Sequence, residues 1–294
     1  MNLKIKILSC ITAFLVLWTA SVFAQEARAI MQKVLDRNDG TTEVSRQKLS
    51  TCRFVKKNKR LVCAESPRVK VFDSVRKDYG PNQKDTKSIT IIQKPVSEKG
   101  IGFLQYDYEK QGKDSDQWMY LSAMRKIKRI VSGNDDEPKS GSFFGSEISY
   151  EDLETRHLED YQYRILKSVI YRKRPCWVIE SLPTPKRTRK SNYSKSIQWV
   201  DKERDLVLKT LLFDRQGKPV KQIVIGQVEN IKGIWVARKI HVTNVQTKRR
   251  TTMSLESVMF NVEVPDSFLT QRSLSSDTFR EKHLSRLNKS LKKE

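Results

Sequence analysis

Apolar positions along the chain change their period once, close to the start. Ala27, Ile30, Met31, Val34 and Leu35 recur at helical spacing until Asp36-Arg37-Asn38-Asp39-Gly40 breaks the run. One amphipathic helix is predicted there. Beyond it the period falls to two, as in Ile89-Thr90-Ile91-Ile92 and Gly102 to Tyr108, with turn formers such as Asp78-Tyr79-Gly80-Pro81-Asn82 between the runs. The same alternation returns in Ile197 to Val200, Val207 to Phe213, Gln222 to Val228, Ile234 to Val245 and Thr252 to Phe260. Asp201 to Arg204, Asp214 to Gly217 and Asn230 to Gly233 separate these runs and are rich in hairpin-forming residues. Closely spaced hairpins with no crossover helix predict an up-and-down antiparallel meander that curls into a barrel or half-barrel.

No linker divides the meander. The most loop-like stretches are Ser132 to Ser142 and Pro183 to Ser196, the second carrying Lys186-Arg187-Thr188-Arg189-Lys190. Past Ser273 the chain turns polar and basic. Leu284, Leu287 and Leu291 share a helical face, but a frayed basic tail over residues 275–294 is the expectation.

The first residues change where this protein is expected to work. Lys4 and Lys6 precede an apolar run from Ile7 to Leu17, and Val22-Phe23-Ala24 supplies small residues at the cleavage subsites. That run is shorter than the roughly 20 residues a membrane span needs. Residues 1–24 therefore read as a signal peptide cleaved after Ala24, with the mature chain starting at Gln25 in the periplasm. No cysteine follows near Ala24 to take a lipid anchor. The 294-residue chain has a net charge of +23, of which only Lys4 and Lys6 leave with the signal. Such a charge favours anionic partners, which outside the cytoplasm are lipid head groups or acidic glycans; the compartment argues against nucleic acid.

Of the cysteines left after cleavage, Cys52 and Cys63 bracket a basic segment. A reversal at Lys57-Asn58 sets Phe54 opposite Leu61 and Cys52 opposite Cys63, within bridging reach in an oxidising compartment. Cys176 reads as a buried packing residue beside Trp177 and Val178. His157, His241 and His283 are scattered singly, so no metal site is expected. No nucleophile elbow, phosphate loop or triad pattern occurs, which points to a binding module without cofactor rather than an enzyme.

Two segments carry the remaining chemistry: Asp116-Gln117-Trp118-Met119-Tyr120-Leu121-Ser122-Ala123-Met124-Arg125-Lys126-Ile127-Lys128-Arg129-Ile130 and Gly141-Ser142-Phe143-Phe144-Gly145-Ser146-Glu147-Ile148-Ser149-Tyr150-Glu151-Asp152-Leu153. In the first, Trp118 and Tyr120 share one strand face while Met119 and Leu121 take the other. Arg125, Lys126, Lys128 and Arg129 read either as a phosphate-binding cluster or as a solvated strand face. In the second, Phe143 and Phe144 read either as a flap at a cavity mouth or as static plugs. Ser149 can cap a short helix through Asp152, with Tyr150 packed beneath.

Together these segments, with Trp199-Val200-Asp201 and Gly233-Ile234-Trp235, resemble the outer-membrane lipoprotein-sorting proteins related to the LolA carrier, in particular the branch associated with RND-type export pumps. The resemblance covers Ala27 to Leu274. Ser122 departs from it where proline is usual, as does Glu147 where Asp or Thr is common, and the Cys52/Cys63 hairpin and basic tail lie outside the shared pattern. The resemblance implies a mainly β, α+β fold: an open antiparallel half-barrel with an N-terminal helix and short lid helices, sheltering acyl chains in an apolar interior. A chain of about 16 carbons exposes on the order of 12 kcal/mol of unfavourable surface to water, so moving it between membranes needs such a cover.

The expected function is that of a periplasmic carrier for the acyl chains of a lipoprotein or phospholipid, with Trp118, Tyr120, Phe143 and Phe144 lining the site and Arg125 and Arg129 meeting head groups. Its expected partners are an inner-membrane transporter, an outer-membrane acceptor and an anionic membrane surface. The alternative is an envelope lipid sensor or adaptor serving a membrane regulator or an RND-type pump.

Overall fold

The computed structural model describes residues 25–132 and 137–291; the expected signal segment and the tip of the Ser132–Ser142 loop lie outside them. Helix α1 (25–36) opens the chain where the helical period predicts it. Fourteen strands follow: β1 (Thr42–Lys57), β2 (Arg60–Cys63), β3 (Arg68–Tyr79), β4 (Asp85–Lys94), β5 (Gly102–Asp107), β6 (Asp116–Leu121), β7 (Lys126–Ile130), β8 (Tyr161–Tyr171), β9 (Arg174–Pro183), β10 (Tyr193–Asp201), β11 (Val207–Asp214), β12 (Pro219–Ile231), β13 (Ile234–Asn244) and β14 (Arg249–Phe260). They form one open antiparallel sheet in the order β7-β6-β5-β4-β3-β1-β14-β13-β12-β11-β10-β9-β8, with β2 paired to β1 alone. Each half is a hairpin meander, as expected. The seam between the halves, at the middle of the sheet, pairs the first long strand with the last, from Glu43↔Phe260 to Arg53↔Arg249.

Strand alternation divides the core between two faces. On one, Val44, Val75, Ile89, Ile91, Leu104 and Tyr120 pack against Phe268, Leu269, Leu274, Leu284 and Leu287. On the other, Leu49, Phe72, Ile92, Phe103 and Val242 meet Phe143, Phe144 and Ile148. A row of directly paired residues (Thr51, Thr251, Val242, Ile223, Thr210, Gln198, Ile179) runs across this second face. At its far end Ile179 packs with Tyr163 and Val200 against Ala27 and Met31 of α1. Helix α1 and the segment around Phe143 thus cover the same face, which we call the lid face.

The C-terminal residues fold instead of fraying. Helices α3 (Gln271–Ser275) and α4 (Asp277–Leu291) follow α2 (Pro185–Lys190) in the chain and bury Leu274, Leu284 and Leu287 on the face opposite the lid. Leu284 and Leu287 of the expected stripe find a partner surface; helix propensity alone leaves so short a segment marginal in water. Arg280, buried in α4, donates from Nη1 to the Leu274 carbonyl at 2.8 Å. Gly102 permits the close approach, since a Cβ there would lie 2.7 Å from Leu274 Cδ2 and 2.8 Å from Ile91 Cδ1. No helix among the described residues is long and apolar enough to cross a membrane.

Two further expectations are corrected. Pro183 to Ser196 is not a plain loop: Thr184 accepts from the Arg187 N–H, and Pro185 starts a short helix, the pairing of N-cap and proline that favours helix initiation. The β1–β2 hairpin reverses one residue later than expected, at Asn58-Lys59, both left-handed, with Phe54 opposite Cys63 and Lys56 opposite Leu61. Cys52 and Cys63 are still bridged, their Cα atoms 5.7 Å apart on a diagonal of the ladder. Cys176 is fully buried, and burial pushes its thiol pKa up. Non-reducing peptide mapping of the oxidised protein should therefore recover a Cys52–Cys63 linked peptide, with Cys176 alkylated only after denaturation; any linkage through Cys176 would contradict this arrangement.

Candidate functional site

The lid segment leaves β7 at one sheet edge, crosses the lid face and enters β8 at the other edge. Single helical turns at Phe143–Gly145, Glu151–Leu153 and Leu158–Asp160 shape it. Phe144 and Gly145 both adopt positive φ, 50° and 72°, and swing the chain so that both phenyl rings point at the sheet. Phe143 lies edge-on to Phe72 at 5.7 Å and to Phe103 at 5.4 Å, while Tyr150 stacks on Phe103 at 5.8 Å. Ser149 and Asp152 exchange hydrogen bonds, N–H to Oδ2 at 2.8 Å and N–H to Oγ at 3.3 Å, the expected cap.

Charged and polar groups pin this lid. Asp152 pairs with buried Lys221 and accepts from Tyr193 Oη at 2.8 Å; burial and that carboxylate push the Tyr193 phenol pKa up. Buried Glu151 pairs with Arg187 of α2 at 3.0 Å and accepts from Asn192 N and Nδ2, each at 2.8 Å, and from Ser191 Oγ. Arg249 pairs with Glu147 at 2.6 Å. Gln105 Nε2 donates to the Leu153 carbonyl at 2.7 Å. An uncompensated buried charge is costly, so these pairs define one lid position.

Beside the two phenylalanines the apolar floor continues but is no longer fully covered. Ile223, Ile240 and Met253 pack half-buried against that cluster. Ile225, Ile240 and Met253 are direct cross-strand partners in sequence, with Leu49 beyond Met253. They face a cavity of about 260 Å³ that is also lined by Leu255, Trp235 and Phe260, and by Arg37 and Asp39 just past α1. Arg37 Nη1 donates to the Trp235 carbonyl at 3.5 Å, tying the segment after α1 to the start of β13. The arrangement is an apolar strip with plugged and open ends, lying between lid and helix; Glu43 and Gln47 of β1 line the open end, and burial pushes the Glu43 carboxyl pKa up.

A family model of uncharacterized proteins, the DUF1329-like group, matches residues 84–276. The chain belongs to that family. A solved DUF1329 family protein from Desulfovibrio piger is 21% identical, with a TM-score of 0.75 over 86% of this chain and 99% of that one. A domain from Vibrio parahaemolyticus described as an outer membrane lipoprotein-sorting protein is 24% identical, with a TM-score of 0.73 over 86% and 99% of the two chains. A LolA superfamily protein from Nitrosomonas europaea is 16% identical, with a TM-score of 0.59 over 83% and 97%. These likenesses show the LolA-type open half-barrel fold. No curated protein matches the chain.

Within this DUF1329-like chain the expected site residues do not converge. Phe143 and Phe144 are buried, 5% and 6% exposed, on the lid face. Trp118 and Tyr120 belong to the other face, where Trp118 meets Tyr106 at 5.0 Å and Tyr120 packs in the core beneath α3 and α4. Strand alternation also splits the four cations. Arg129, opposite Trp118, points to the helix-covered face and pairs with Asp116, while Lys126 and Lys128 point the other way; Arg125 sits exposed at a left-handed turn. Ile225, Ile240, Met253 and Leu255 were not singled out in sequence, although all four lie at period-two positions of strands that were. Only the cross-strand register, which aligns residues far apart in the chain, brings them together.

Proposed function

We propose that this chain is a periplasmic carrier that holds the acyl chains of a lipoprotein or phospholipid against the lid face, loaded from an inner-membrane transporter and delivered to an outer-membrane acceptor. The observation that carries the reading is the half-buried strip of Ile225, Ile240 and Met253 facing a cavity in a LolA-type fold. Aliphatic side chains held at a concave opening, with a few polar groups at its mouth, are what a hydrocarbon ligand needs. Phe143 and Phe144 close one end of the strip, so a longer acyl chain enters by displacing their rings. Arg125, exposed at the turn before β7, is the head-group contact in this reading, whereas Arg129 faces the opposite side of the sheet, where it pairs with Asp116.

The test is Met253→Asp. A carboxylate at the cavity wall repels hydrocarbon but keeps access to water, so the variant should retain its β-sheet circular dichroism and bind a fluorescent fatty-acyl probe at least tenfold more weakly, on the order of 1.4 kcal/mol. Undiminished probe binding by the folded variant would remove the strip from the site. Transfer of labelled lipid between vesicles in proportion to protein concentration is expected of a carrier and not of a sensor.

A further inference from the structure

A second cavity, about 640 Å³, opens on the sheet face opposite the lid. Its floor uses the alternate residues of the same strands: Val224 pairs with His241, and Gln222, Thr243 and Arg250 form the next row. The walls come from the disulfide-bonded hairpin, with Phe54, Val55, Lys56 and Leu61, from Arg172 in the β8–β9 turn, and from Lys248 in the β13–β14 turn.

Four permanent cations thus line the groove, together with His241, and no carboxylate does. On the lid face, by contrast, Lys221 and Arg187 have the acidic partners Asp152 and Glu151. Lys56, Arg172, Lys248 and Arg250 form no ion pair among the described residues, and Arg250 Nε is buried without a hydrogen-bond partner. Desolvation lowers the Arg250 pKa, and neighbouring Arg250, Lys239 and Arg172 add to desolvation in lowering that of His241. Around the mouth Val55, Leu61 and Val245 are 48%, 39% and 44% exposed. The hairpin tip beyond them presents Lys57, Lys59 and Arg60, all exposed. Cations alternating with exposed aliphatic residues on a rigid finger match the boundary between head groups and acyl chains of a bilayer, where lysine and arginine meet phosphate and the aliphatic tips enter the apolar layer.

We propose that this groove and the disulfide-bonded hairpin form a docking surface for an anionic phospholipid bilayer, with a head-group phosphate seated among Arg172, Lys248 and Arg250. Val55, Leu61 and Val245 stand singly among the cations on a projecting finger and form no continuous apolar core of the kind a protein partner buries, which favours the membrane. The surface is separate from the lid face, so docking and acyl binding are distinct activities on opposite faces of one sheet.

The test uses the exported, disulfide-intact protein and cosedimentation with vesicles of phosphatidylcholine, with and without phosphatidylglycerol. The wild type should bind only the anionic vesicles, and Arg172→Gln/Lys248→Gln/Arg250→Gln should weaken binding about fivefold per cation, roughly a hundredfold in all. Lys248→Gln alone, at an exposed turn, should show the single fivefold step with the fold intact. The Lys126→Gln/Lys128→Gln variant should bind like wild type, and the triple variant should still bind the acyl probe. Leu61→Ser should weaken vesicle binding without changing its salt dependence. Equal binding to neutral vesicles, an unchanged affinity of the triple variant, or complete displacement by millimolar inorganic phosphate, which marks a soluble-anion site, would each overturn the proposal. Failure of Met253→Asp to affect the acyl probe bears on the carrier reading alone.

Discussion

Phe144→Asp should unfold the protein or cost it several kcal/mol rather than impair binding alone. Its ring is 6% exposed, centred 4.2 Å from that of Phe143 and 6.0 Å from that of Phe72. Removing a buried phenyl ring costs about 3–5 kcal/mol, and placing a carboxylate in the same apolar pocket adds its desolvation. The backbone does not oppose the change, because aspartate tolerates the left-handed conformation better than phenylalanine does. The loss therefore comes from packing. Urea unfolding followed by circular dichroism reads it directly, and a variant with wild-type stability would mean that Phe144 stands in solvent as a mobile flap. Phe144→Asp and Met253→Asp are a matched pair: the same charge, on the same face, is expected to break the fold at one position and only the ligand site at the other.

Removing one partner of the lid's buried ion pair should cost nearly as much. The side chains of Lys221 and Asp152 are each 6% exposed, and Asp152→Ala leaves the ammonium, among the described residues, with only Tyr193 Oη, at 2.7 Å. Stranding a buried charge in this way costs about 3–5 kcal/mol. The double variant Asp152→Leu/Lys221→Met removes both charges while keeping apolar volume, and should recover most of that loss. A double-mutant cycle by chemical denaturation gives the coupling. A cost below about 1 kcal/mol for Asp152→Ala would show that water reaches the pair and that it does not fix the lid.

What could be read from the chain and what could not divide along the range of the forces involved. The helix at Ala27, Met31 and Val34, the hairpin meander and its turns follow from local periodicity and turn chemistry, and these appear in place. The cysteine bridge survived a one-residue error in the turn because a diagonal pair in a ladder still lies within bridging distance. The C-terminal helices were harder to see. Leu274, Leu284 and Leu287 are a weak signal until the sheet supplies the complementary surface at Ile91, Gly102 and Leu104. The site residues suffered in the same way. Trp118 and Phe143 stand out by size and are close in the chain, yet the sheet places them on opposite faces, whereas Ile225, Ile240 and Met253 are unremarkable singly and acquire meaning only through register.

The seam at the middle of the sheet carries a consequence for how the molecule is made. Both meanders consist of hairpins whose strands are neighbours in sequence, so each can assemble from contacts of short loop length. The junction between them is of another kind: Thr51 and Thr251, whose hydroxyls lie 2.9 Å apart, are separated by 200 residues. Because β14 is the last strand among the described residues, β1 has no partner on that side until some 200 further residues have emerged. During that interval its edge is an unpaired row of backbone donors and acceptors, open to the wrong strand. Closing the seam is therefore the late, slow event of folding, and the strand that completes the sheet is also the one that completes the floor of the apolar strip through Met253.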